Sequence, residues 1–147
     1  MFPKFFDGTI LGGASEALEF IGNILESSTE YSIIGKNLDG NAGRQAAHTA
    51  ALNVLALTKK QLGSLNRVSR VVRLGVYIAA TPAFTEHPKI ADAASELLRD
   101  VFGAETVSSR LVFGVASLPL GSPVELEVIL EVKPVSPGDS ERSGGHV

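Results

Sequence analysis

The chain of 147 residues has no cysteine and no tryptophan, a single methionine, and only seven phenylalanines and two tyrosines. Without cysteine there are no disulfides, no thiolate nucleophile and no thiolate metal site, and a reducing compartment fits that usage. A basic excess is also missing. Thirteen lysines and arginines face sixteen aspartates and glutamates, a net charge of −3 with histidine neutral. Proteins that hold nucleic acid by its phosphates carry the opposite balance, so RNA and DNA are not expected partners. No apolar run reaches the ~20 residues of a membrane span, and no membrane partner is expected. Glu16 and Glu19 interrupt the stretch 1–21, which predicts no secretory signal and a cytoplasmic protein. His48, His87 and His146 fall in unlike segments, so no metal site is expected. Gly12-Gly13 lacks the spacing of a phosphate loop.

What is present is ordinary globular material. Apolar residues make up 44% and charged residues 20%, which allows a packed core in one domain. Residues 42–62 carry Ala46, Ala47, Ala50, Val54, Leu55, Leu57 and Leu62 as a broad apolar stripe. That spacing predicts a helix capped by Asn41 and ended by Gly63, with alanines that suit close packing. Residues 68–79 are rich in valine and read as one long strand, within which Gly75 marks a bulge or a close backbone approach. Pro88 opens a second helix over 89–102, stopped by Gly103. Two more strands follow, 110–117 and 124–132. In the second, Val124, Leu126, Val128, Leu130 and Val132 alternate with Glu125, Glu127, Ile129 and Glu131.

Near the N-terminus, Thr9-Ile10-Leu11 suits a short strand, and Ala17, Leu18, Phe20, Ile21, Ile24 and Leu25 match an amphipathic helix on periodicity alone. Residues 133–147, rich in proline, serine and glycine, read as a disordered tail. Two helices on one face of a sheet give a two-layer α+β domain over 1–132. The sheet's other face would then be apolar and bare, which predicts a homo-oligomer.

Arg110 stands at the head of an apolar strand, where a guanidinium needs a partner: an acidic side chain of the protein, or the carboxylate of a ligand. Glu125 is either a water-positioning base or part of a solvated face with Glu127 and Glu131. Tyr77 and Phe84 read as core or pocket-lining residues. Arg67, Arg70 and Arg73, without stacking aromatics between them, fit a salt-bridged sheet edge or subunit contact better than an RNA platform.

The ordered set Arg70-Val-Val-Arg-Leu-Gly-Val-Tyr-Ile, Pro82-Ala-Phe-Thr, Ala94-Ser-Glu-Leu-Leu-Arg-Asp-Val-Phe-Gly, Arg110 through Leu118-Pro119-Leu120-Gly121, and Val124-Glu-Leu-Glu resembles the YjgF/YER057c/UK114 family. This is the RidA or L-PSP family of reactive-intermediate imine deaminases, and the likeness covers Gly35 to Val132. The resemblance implies a chorismate-mutase-like (YjgF-like) fold, a homotrimer with pockets between subunits, and hydrolysis of 2-imino or 2-enamino acids of the 2-iminobutanoate/2-iminopropanoate type. It assigns Arg110 to the substrate carboxylate and Glu125 to the water, with Tyr77 and Phe84 as substrate contacts, and requires no cofactor. The first 34 residues depart from the pattern, with Ala14-Ser15-Glu16 near where a Ser-Gly-Gln run falls in the family. The alternative on the same scaffold is a non-catalytic module that binds small carboxylates, and a ribonuclease is a distant third.

Overall fold

The computed structural model describes residues 6–7, 16–23 and 32–135. One mixed sheet runs in the order β1-β2-β5-β3-β4, built from Phe6–Asp7 (β1), Glu16–Asn23 (β2), Val68–Ala79 (β3), Val107–Val115 (β4) and Val124–Val132 (β5). Strand β3 pairs parallel with β4 and antiparallel with β5. Helices α1 (Gly40–Leu62) and α2 (His87–Phe102) pack against each other and against the strands.

Small residues explain how closely α1 packs. Gly43, Ala46, Ala47, Ala50 and Ala51 are all buried, and a Cβ added at Gly43 would stand 2.5 Å from Ile90 Cδ1. Asp39, not the expected Asn41, caps this helix. Its backbone is still extended, and Oδ1 accepts from the Ala42 N–H at 2.8 Å. Asn41 already lies in the first turn, where its side chain is past the capping position. Gly63 ends the helix in the left-handed region (φ 80) and donates to Lys59 O at 2.8 Å. Helix α2 starts with Pro88 in its first turn and buries Ile90, Ala91, Ala94 and Leu98.

Val71, Leu74, Val76 and Ile78 of β3 meet Val124, Leu126, Val128 and Leu130 of β5 beneath these helices, all essentially fully buried. The alternation expected for 124–132 is therefore realised. The helix suggested by periodicity over 17–25 is not: Glu16–Asn23 is a strand that pairs antiparallel with β5 along its whole length. A run of backbone hydrogen bonds to an otherwise unpaired edge outweighs a local preference that is weak in so short a segment. Strand β4 runs from 107 to 115, starting and stopping earlier than the expected 110–117. Lys133, where a tail was expected to begin, is still held, its N–H donating to Arg67 O at 2.8 Å. Thr9-Ile10-Leu11 and the tail beyond Val135 lie outside the described residues. Among the described residues no helix is long and apolar enough to cross a membrane.

The face away from the helices has two parts. Along β3 and β5 it carries ion pairs, Arg70 with Glu131 at 3.2 Å and Arg73 with Glu127 at 3.3 Å. Along β3 and β4 it is apolar. Phe113 stacks on Tyr77 with centroids 5.9 Å apart, yet Phe113 remains 47% and Leu111 41% exposed.

Candidate functional site at the β4 edge

Strand β4 is the sheet edge beside α2, and Arg110 sits on its helix-facing side, in register with the buried Leu74. Its Nη1 donates to Asp92 Oδ1 at 2.7 Å and to Ser95 Oγ at 3.1 Å. Asp92 and Ser95 stand three positions apart and so share one face of α2. Ser95 is buried and spends its hydroxyl proton on Ala91 O at 3.3 Å, which leaves its lone pairs for Arg110. The guanidinium therefore has an internal carboxylate, the structural partner raised by the sequence. Among the described residues, Nη1 alone carries these bonds. Among those residues, none accepts a hydrogen bond from Nη2 or Nε.

Glu125 lies elsewhere. It is in register with Tyr77 on β3, and Tyr77 is in register with Phe113 on β4, so all three share the face away from the helices. Burial pushes the Glu125 carboxyl above the usual carboxylate range. Arg110 and Glu125 thus stand on opposite faces of one sheet, with β3 between their strands. The structure brings Glu125 together with Tyr77 and keeps both apart from Arg110. Gly75 is a close approach rather than a bulge: a Cβ there would lie 3.3 Å from the Tyr77 ring, and the register shifts of β3 fall nearer its start.

Phe84 occupies a third position. It lines a cavity of about 540 Å³ at the C-terminal ends of the parallel pair β3 and β4, together with Ile33, Lys36, Thr81, His87 and Gly114. Its ring meets the His87 imidazole edge-on, centroids 5.1 Å apart. His87 lies so close over β4 that a Cβ at Gly114 would stand 2.4 Å from Nε2. Sequence reasoning overlooked Asp92, Ser95, His87 and Lys36. The signal for the first two was faint: a polar pair at i, i+3 inside an alanine-rich apolar stripe. His87 and Lys36 gave none, because nothing local tells that Lys36, His87 and Gly114 converge.

Two layers, the mixed sheet order and the edge-strand arginine define a chorismate-mutase-like α+β protein. A family described as "YjgF/chorismate_mutase-like, putative endoribonuclease" matches residues 30–132, and the chain belongs to that family. Protein TCP17 of Trypanosoma cruzi is 40% identical over 100 residues, which span 67% of this chain and 62% of that protein. A protein of unknown function from Agrobacterium tumefaciens is 29% identical, with a TM-score of 0.73 over 84% of this chain and 79% of its own. A Shewanella oneidensis protein carrying the same endoribonuclease designation is 26% identical, with a TM-score of 0.74 over 87% of this chain and 85% of its own.

Proposed function

We propose that this protein hydrolyses small 2-imino or 2-enamino acids to 2-oxo acids and ammonia, at a pocket formed where the β4 edge of one copy meets the outer sheet face of another in a homotrimer. The observation that carries this reading is the free side of the Arg110 guanidinium. Nη1 is anchored on Asp92 and Ser95, so the fork is held in place while Nη2 and Nε remain able to take a carboxylate in parallel hydrogen bonds. An imine carbon held there is already electrophilic. Water adds to it, the tetrahedral adduct expels ammonia, and the carbonyl of the 2-oxo acid remains. Placing the water beside that carbon supplies much of the rate.

Glu125 is the group suited to orient the water and take its proton, a role typically worth ~10²–10⁴-fold. Its raised pKa brings the carboxylate closer to the operating pH, as a general base requires. One copy does not turn Arg110 and Glu125 to the same side of its sheet, which is why the pocket is assigned to a contact between copies. Leu111 and Phe113 provide the apolar surface such a contact would cover.

The test is release of 2-oxo acid and ammonia from 2-iminobutanoate generated in situ by an amino-acid oxidase. The wild type accelerates release, and Arg110→Ala lowers kcat/KM by about 10- to 100-fold, the worth of a charge-assisted hydrogen bond. Equal inertness of both proteins defeats the proposal. One observation favours a second reading, a non-catalytic carboxylate-binding module: Asp92 already supplies Arg110 with a carboxylate. Calorimetry that finds 2-oxobutanoate bound, with no turnover of the imine, selects that reading. Arg70 and Arg73 are each committed to a glutamate, which supports leaving RNA aside.

A further inference from the structure

We infer that the cavity at the C-terminal ends of β3 and β4 is a second binding site, separate from Arg110, for a small monocarboxylate with an apolar tail. In open sheets with parallel strands, ligands settle outside the carboxyl ends of those strands. Here β3 and β4 are the parallel pair, and Ala80, Thr81, Val115 and Ala116, just at or beyond their ends, line the cavity. Its volume of about 540 Å³ falls within the range of small-molecule pockets.

Among the described residues that line it, Lys36 is the cation, His87 and Thr81 add hydrogen-bonding groups, and none is acidic. Ile33, Pro82 and Phe84 make the apolar wall. Among the described residues Lys36 forms no ion pair, whereas nearby Glu86 is taken by Lys89. A monoanion thus finds charge complementarity without displacing a carboxylate of the described residues.

The site is also held in shape. The turn that carries Lys36 is fastened to β3 by Ile34 N–H to Ala79 O at 2.8 Å and Thr81 N–H to Ile34 O at 3.0 Å. The same turn is closed by Ile33 N–H to Asn37 Oδ1 at 2.7 Å. Gly114 completes it from below. Only a residue without a side chain lets the His87 imidazole lie against the strand, and Phe84 braces its other side. Arg110 does not line this cavity. Arg110 lies four residue steps of extended chain from Gly114, roughly 13 Å along the strand.

The experiment titrates the isotope-labelled full-length protein with 4-methylpentanoate, and separately with its neutral isostere 4-methylpentanamide, following backbone amide shifts. Saturable shifts centred on Lys36, Thr81 and Gly114 are expected, with the amide binding about tenfold or more weakly. Lys36→Gln, at an exposed position, weakens the acid by about 5- to 20-fold. Gly114→Ala weakens it too, by displacing His87, while Arg110→Ala leaves the affinity within about twofold because the sites do not touch. Shifts centred on Arg110 and abolished by Arg110→Ala would overturn the inference. So would unchanged affinity in both Lys36→Gln and Gly114→Ala, equal affinity for acid and amide, or no saturation below about 10 mM. Because the probe is not a substrate, failure of the deaminase assay leaves this result unaffected.

Discussion

Arg110 shows how little a residue's identity says about its partner. An arginine at the head of an apolar strand needs a carboxylate, and the sequence alone left open whether the protein or a ligand supplies it. The fold supplies Asp92, and does so on only one nitrogen of the fork. Glu125 poses the converse problem. Strict alternation in β5 placed it opposite the buried valines and leucines, and that much was legible. Its elevated pKa was not, because burial depends on strands brought in from elsewhere in the chain. The consequence for stability has a definite sign. Burial raises the folded-state pKa above the unfolded one, so the folded chain holds the proton more tightly. The contribution of the neutral carboxyl is complete below the ordinary glutamate range and is lost as pH rises through the raised value. Glu125→Gln, neutral throughout, should therefore be more stable than the parent at neutral pH, with the difference closing on acidification. Chemical denaturation across that pH range measures it, and a constant difference would refute the assignment.

At the scale of elements, periodicity and punctuation located both helices and the strands β3 and β5, because each is long and bounded by glycine or proline. They failed where the signal was short or tertiary. Ala17 to Asn23 has enough apolar residues to satisfy a helical period, and only pairing with β5 makes it a strand. The cap of α1 slipped from Asn41 to Asp39 because both residues cap well and the choice depends on where the backbone turns extended. Asp39 then makes a clear case for mutation. Asp39→Ala removes the acceptor of the Ala42 N–H and should cost about 1 kcal/mol in denaturation, whereas Asn41→Ala should cost far less. The site followed the same division. Arg110, Glu125, Tyr77 and Phe84 were named from their segments, but their distribution over two sheet faces and a separate cavity depends on register and parallel pairing, which no single segment encodes.

For the whole molecule, the apolar strip of Leu111 and Phe113 is the feature that demands a neighbour. If copies meet there, Phe113→Lys should leave the chain folded but convert the oligomer to monomer in sedimentation velocity at micromolar concentration, with loss of imine hydrolysis. A Phe113→Lys protein that stays oligomeric and active would move the contact elsewhere. The most direct test of a pocket shared between copies is complementation. Arg110→Ala and Glu125→Gln subunits, each near background alone, are dissociated, mixed in equal amounts and reassembled. If Arg110 comes from one copy and Glu125 from the next, random mixing in a ring should recover about one quarter of wild-type deaminase activity. Activity that stays at the level of the separate variants would contradict the shared pocket.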